Sequence, residues 1–95
     1  MMQATFIAKE DIQKLHFKNE EVLKSAEAIK ERFHDLENAM LLGNTDHNKV
    51  KIVFECTDGI FLVETTVWGV TQNSLMLKGN ILIPIHSIHQ ISFFE

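Results

Sequence analysis

The sequence predicts an α+β fold: an N-terminal helix, or two helices, followed by a five-stranded, strongly bent antiparallel sheet or small barrel. The first observation is compositional. Residues 1–49 contain 16 of the 22 charged residues, and residues 50–95 contain the other 6. Valine, isoleucine and threonine are distributed the opposite way, with 6 in residues 1–49 and 16 in residues 50–95. Charged straight-chain residues favour helices, and β-branched residues favour strands. The second observation is the length of 95 residues, which suits one domain. We expect residues 1–48 to be helical and residues 49–95 to form the β part of the same domain.

The main helix is predicted from a single apolar stripe. Its members are spaced alternately four and three residues apart: Val22, Ala26, Ile29, Phe33, Leu36 and Met40. This spacing predicts a helix from about Glu20 to Leu42. Asn19 is a good N-cap, and Gly43 is suited to end the helix in a left-handed conformation. We expect residues 43–48 to form the loop into the sheet.

The segment before this helix allows two interpretations. Ile12 and Leu15 continue the same rhythm, so one helix running from Lys9 would form a coiled-coil seam of about four heptads with a buried Asn19. The interpretation that we favour has a short helix over residues 10–17, a break at Asn19 and then the main helix packed on the sheet. Residues 5–8 are a candidate extra strand.

The first β-hairpin follows from alternation and a turn signal. Apolar side chains alternate with polar ones over residues 49–56, and Asp58-Gly59 supplies the positive φ of a tight turn. The return strand, residues 60–71, is about twice the usual strand length, so it must bend. Gly69 is the candidate bulge, and we expect Trp68 to share a face with Thr66 and Val70.

Three shorter strands are predicted to complete the sheet. After a turn at residues 72–74 come strands at residues 75–78 and 81–85, joined by Gly79-Asn80. Pro84 cannot donate a ladder hydrogen bond, so its strand lies at an edge or bends there. Residues 86–89 form a tight turn before a last strand, residues 90–94. Short, bent antiparallel strands of this kind are typical of a small barrel.

Two segments of this half resemble the Sm-like family, which includes the bacterial Sm-like RNA chaperone. Residues 75–80, Leu-Met-Leu-Lys-Gly-Asn, resemble its third strand and following turn, and residues 85–89, Ile-His-Ser-Ile-His, resemble the stretch between its last two strands. The resemblance implies a small SH3-like or Sm-like barrel and binding of RNA, with His86 at the position of the family's histidine. Glu64 and Ile85 depart from the family pattern. Residues 63–68 and 83–86 are also similar to a family of short uncharacterised bacterial proteins, a likeness that implies no activity.

Composition excludes several functional classes. The net charge is −4 with a pI near 5.7, and the lysines are scattered, which argues against binding that depends on neutralising many phosphates or an anionic membrane. The single cysteine, Cys56, excludes an intrachain disulfide, so we expect a reducing, cytoplasmic setting. No apolar run approaches the roughly 20 residues of a membrane helix, and the first nine residues do not resemble a signal peptide.

Few residues suggest chemistry. His86 and His89 form a pair that could share a metal, but Cys56 is the only soft partner and alternates with core residues, so we predict no metal site and no cofactor. Trp68 is expected to be a core residue, or alternatively an exposed stacking platform. The candidate nucleic-acid-binding residues are Lys78, His86, His89 and Trp68, with Lys49 and Lys51 nearby. No nucleophile or phosphate loop is recognisable, so we do not expect an enzyme.

The apolar content of the second half suggests self-association. Of residues 50–95, 23 of 46 are apolar, so both faces of some strands must be covered, whereas one helix covers only one face. We therefore expect a homo-oligomer that acts as an intracellular protein-binding module, with no membrane partner. The alternative is an Sm-like RNA-binding or regulatory protein.

Overall fold

One α-helix and six strands make up the computed structural model, which describes residues 3–93. The elements in chain order are β1 (Thr5–Phe6), a first 3₁₀ helix (Lys9–Lys14), α1 (Ala26–Asp46), β2 (Lys49–Cys56), β3 (Gly59–Val70), β4 (Ser74–Leu77), β5 (Ile81–Pro84), a second 3₁₀ helix (Ile85–Ser87) and β6 (Ile88–Phe93). The α+β class and the antiparallel sheet are confirmed. The short extra strand expected near residues 5–8 is confirmed as β1.

The helix α1 begins later than its apolar stripe predicts. Ser25 is the N-cap, and its Oγ accepts a hydrogen bond from the Ala28 N–H at 3.1 Å. Residues 15–25 form no α-helix, so the predicted start at Glu20 with an Asn19 cap is wrong, and so is the coiled-coil alternative. The short first helix is a 3₁₀ helix. Serine caps a helix as well as asparagine does, so the local signal did not distinguish the two sites.

The helix also ends later than predicted. It continues through Gly43 to Asp46, and His47 closes it in the left-handed conformation with φ 55°. Gly43 is therefore not a C-cap, and residues 43–46 are not a loop. A Cβ atom at Gly43 would lie 2.1 Å from the main-chain oxygen of Val67, so glycine at this position allows the helix to lie directly against β3.

The buried face of α1 is rotated from the predicted stripe. Its buried residues are Arg32, Leu36, Ala39 and Gly43. Ile29 and Phe33, which belong to the predicted stripe, are exposed, Phe33 by 54%. The stripe thus correctly predicted a helix, but only some of the residues in the stripe face the core.

The sheet has the strand order β5-β4-β3-β2-β6, all antiparallel, and β1 pairs in parallel with β3. The turn at Asp58-Gly59 is confirmed, since Cys56 pairs with Gly59 and Gly59 has φ 134°. Gly79 and Asn80, with φ 88° and 63°, form the predicted turn between β4 and β5. In the described part of the chain β5 and β6 do not pair with each other, so the sheet is bent but open.

A bulge in β3 decides which way Trp68 points. Val67 pairs with Leu77 and Gly69 pairs with Met76, so Trp68 is the extra residue. The extra residue places Trp68 and Gly69 on the outer face and returns Val70 to the core side. The expectation that Trp68 shares a face with Val70 and packs in the core is therefore wrong: Trp68 is 44% exposed.

The core lies inside the bend of the sheet. Side chains from β2 to β6 form most of it, Ile12 of the first 3₁₀ helix joins it, and Leu36 and Ala39 of α1 cover it. Cys56 is buried as expected. Among residues 3–93 no helix is long and apolar enough to cross a membrane. The last predicted strand begins two residues early, at Ile88, and its expected final residue, Phe94, lies outside the described residues.

Candidate functional site

Residues 15–25 form an extended connection, here called the strap, that is bound to the end of the sheet carrying both predicted histidines. The Val22 N–H donates to the His86 carbonyl at 2.9 Å, and the His86 Nε2 lies 2.6 Å from the carbonyl oxygen of Lys18. The Thr57 N–H donates to the carbonyl of His16 at 2.9 Å. His86 thus contacts main chain that is 68 residues away in the sequence.

His89 belongs to an ionic cluster beneath the strap. Its Nε2 lies 2.8 Å from Glu55 Oε1, and the Lys18 ammonium is 3.3 Å from Glu55 Oε2. The hydrogen bond from His89, assisted by that from Lys18, holds the pKa of Glu55 below its ordinary value, although partial burial opposes the shift. The cluster joins the strap to β2 and β6 through a single carboxylate.

A second ion pair anchors the other end of the strap, and the sequence reasoning missed it. Both guanidinium NH groups of Arg32 bind the Glu21 carboxylate, at 2.6 and 2.7 Å, and one of them also donates to the carbonyl of Ile88 at 3.0 Å. This bidentate pair lowers the pKa of Glu21. The sequence held one signal for this ion pair: Arg32 is the only arginine in the sequence, and it lies within the helical repeat.

Two polar cavities border this cluster. One, of about 290 Å³, is lined by residues including Lys18, Glu21, Glu55 and His89, and the other, of about 230 Å³, by Glu31, Arg32, Asp35 and His89 among others. Partial burial raises the pKa of Asp35, reinforced by the nearby Glu31. The His89–Glu55 pair has the arrangement of an oriented base. The described residues that line either cavity include no hydroxyl or thiol group for such a base to activate.

The four predicted site residues do not come together. His86 and His89 lie under the strap, whereas Lys78, in the β4–β5 turn, lines a different cleft with Lys9 and Lys49. Trp68 lies on the outer face of β3. No group of three or more histidine, cysteine, aspartate or glutamate side chains in residues 3–93 is placed to hold a metal ion.

Trp68 is part of an apolar strip on the outside of the sheet. Gly69 pairs with Met76, and Met76 pairs with Leu82 on β5. Since the neighbours of Met76 and Leu82 along their strands are buried, these two side chains point outward beside Trp68. Leu82 is 51% exposed and lies on the edge strand.

A second apolar surface lies at the opposite end of the strand order. Leu41, Leu42 and Phe93 line a shallow cavity of about 260 Å³ together with Asn38. Phe93 ends β6, which is the other edge strand. Each edge of the sheet therefore carries exposed apolar side chains.

Comparison with protein-family models, with curated proteins and with solved structures gives no match to this chain.

Proposed function

We propose that this protein is a cytoplasmic, self-associating binding module that acts without catalysis, and that its copies join through the two edges of the sheet. The observation that carries the proposal is that β5 and β6 end the strand order, each beside exposed apolar side chains. An exposed edge strand is a template for pairing with another chain.

The hydrogen-bonding capacity of the two edges limits how they can pair. The Ile85 N–H donates to the Asn73 carbonyl, on the β4 side, at 3.0 Å. Main-chain groups of successive residues point to opposite edges of a strand, so those of Leu82 and Pro84 point away from β4 to the open edge. Pro84 has no N–H, which leaves the Leu82 N–H and two carbonyls on the open edge. This short edge excludes a long ladder and requires apolar contacts to add affinity.

The apolar surfaces supply such contacts in a head-to-tail arrangement. On β6, Arg32 occupies the carbonyl of Ile88, so we infer that a second copy approaches this strand at its other end, where Phe93 lines a cavity with Leu41. We infer that Leu82 of one copy packs at this cavity of the next. Because two different surfaces meet, the contact is heterologous and generates a ring or a filament.

The oligomeric mass tests this proposal. Light scattering on the wild-type protein at tens of micromolar should give a multiple of the 10.9 kDa chain mass, and Leu82→Lys should give a monomer. Phe33→Lys is the matched control, because Phe33 is exposed to a similar extent on α1. A monomeric wild-type protein would contradict the proposal. Equal dissociation of Leu82→Lys and Phe33→Lys would contradict it as well.

Sm-like RNA binding is the second candidate, and the exposed Trp68 favours it. An exposed indole gives a base a stacking surface, worth roughly 1–3 kcal/mol per base, and Lys78 follows the adjacent strand. The absorbance ratio at 260 and 280 nm of freshly purified protein, followed by a gel-shift assay with short single-stranded RNA, tests it. Binding that weakens steeply with salt and is lost in Trp68→Ala would support RNA binding, whereas clean protein without a shift would exclude it.

A further inference from the structure

A third polar cleft, here called the lysine cleft, shares no described lining residue with the two cavities beside His89. It measures about 290 Å³. Three lysines from separate elements line it: Lys9 from the first 3₁₀ helix, Lys49 from the start of β2 and Lys78 from the β4–β5 turn. None of the three forms an ion pair with another described residue, whereas Lys14 and Lys18 do.

The floor of the lysine cleft is a gap in strand pairing along β3. The Ile7 N–H donates to the Leu62 carbonyl, and the Lys78 N–H donates to the Thr66 carbonyl, both at 3.0 Å. Main-chain groups of alternate residues point to the same edge of a strand, so the N–H and carbonyl of Glu64 point into this gap. β1 pairs with β3 before Glu64 and β4 pairs after it, so Glu64 has no strand partner on this edge.

A buried hydroxyl group adds a further donor. Thr65 lines the lysine cleft and is only 3% exposed, yet its side chain makes no hydrogen bond to a described residue. Every fully buried side-chain oxygen or nitrogen in residues 3–93 has a partner, so the Thr65 hydroxyl is not a buried group left without one. A hydroxyl group that lines the cleft is a donor from which a carboxylate ligand can accept a hydrogen bond.

The charges around the lysine cleft define the ligand. The residues that line the cleft include these three lysines and two glutamates, Glu10 and Glu64, so the lining has a formal charge of +1. A singly charged carboxylate neutralises this excess, whereas a doubly charged phosphate ester would bring a net negative charge into the cleft. One open N–H is also too short an edge for an added β-strand. We propose that the lysine cleft binds the carboxylate group of a small organic acid.

The rest of the cleft suits the apolar body of such an acid. Phe6 and Ile7 line it, and Phe6 is widely exposed. A volume of about 290 Å³ lies at the lower end of the range for small-molecule sites, which fits one aromatic or short aliphatic body. The carboxylate then binds lysine ammonium groups and the Glu64 N–H, while the apolar body covers Phe6.

Titration with benzoate, followed by ¹H–¹⁵N NMR of the full chain, tests this proposal. Benzoate should shift the amide signals of Glu64 and Thr65 saturably. Lys49→Ala and Lys78→Ala should each weaken binding about tenfold, as expected when one charge-assisted hydrogen bond is lost. Lys30→Ala, on the exposed surface of α1, is the matched control and should change the affinity less than about twofold.

Two companion probes separate charge from hydrophobicity and carboxylate from phosphate. Benzyl alcohol should not saturate the same signals, and inorganic phosphate should bind more weakly than benzoate. Equal binding of benzyl alcohol, tighter binding of phosphate, unchanged affinity in both lysine variants, or no saturable shift with benzoate would each overturn the proposal. Because the lysine cleft and the sheet edges share no proposed contact, its failure would leave the oligomeric mass unaffected.

Discussion

At the scale of single residues, Gly43 and Arg32 determine how α1 lies on the sheet. Gly43 allows the helix to approach the Val67 main chain, and Arg32 carries a buried charge to the Ile88 carbonyl and to Glu21. Both roles depend on partners distant in sequence. Pattern reasoning therefore assigned Gly43 to a cap and did not single out Arg32.

The first prediction concerns Gly43→Ala. Its new methyl group would lie 2.1 Å from a main-chain oxygen, so α1 or β3 must move. Overpacking of this kind costs about 1–3 kcal/mol, more than the roughly 1 kcal/mol that alanine contributes to helix propensity, so the variant should be less stable. Urea unfolding measures the change. Asn44→Ala, one residue along the exposed helix surface, should stay within about 0.5 kcal/mol of wild type, and equal stability of both variants would refute the close approach.

The second prediction concerns the Arg32–Glu21 pair. Arg32→Ala leaves a partly buried carboxylate and a main-chain carbonyl without their charged donor, which should cost about 2–3 kcal/mol of unfolding free energy. Glu21→Gln alone should cost less, because Glu21 is one-third exposed. The double variant should lose about 1 kcal/mol less than the sum of the two single losses. Additive losses in this double-mutant cycle would show that the pair does not stabilise the fold.

At the scale of elements, local signals predicted the strands and non-local contacts decided the helix. Alternation located β2, Asp58-Gly59 and Gly79-Asn80 located two turns, and Pro84 marked an edge strand, because each signal acts within a few residues. Trp68 was misplaced because one bulge residue reverses the inward–outward alternation. The partners of the two histidines, at the strap and on β2, lie 68 and 34 residues away, so no local pattern contained them.

The strap is the element for which acid sensitivity is predicted. The pKa values of Glu21 and Glu55 are lowered in the folded protein, so both carboxylates stabilise it above their unfolded pKa, near 4.5, and this contribution is lost as the pH falls through their folded pKa values. The raised pKa of Asp35 acts oppositely, since protonation relieves its burial cost. We expect two carboxylates to outweigh one, so the free energy of unfolding should fall below about pH 5.

Urea unfolding between pH 3 and pH 7 measures this dependence. Glu55→Gln should be less stable than wild type at pH 7 and should lose less stability on acidification. Glu20→Gln, an exposed strap residue, should reproduce the wild-type curve. A Glu55→Gln curve parallel to wild type would contradict the assigned role of Glu55.

At the scale of the whole molecule, the proposed self-association predicts that stability depends on protein concentration. A chain of 95 residues gains limited stability from its own core, and this one exposes Leu82 and Phe93 beside its two edge strands. If copies join there, only the folded state associates, so the melting temperature should rise with protein concentration. A hundredfold increase in concentration should stabilise each chain by up to about 2.7 kcal/mol.

Scanning calorimetry or circular dichroism from about 1 to 100 µM measures this rise. Leu82→Lys should melt at a temperature that does not change with concentration. Phe33→Lys should keep the wild-type dependence, because Phe33 lies outside the proposed interface. A wild-type melting temperature independent of concentration would place the chain among domains that are stable alone. The exposed apolar side chains at the two edges would then require a different partner.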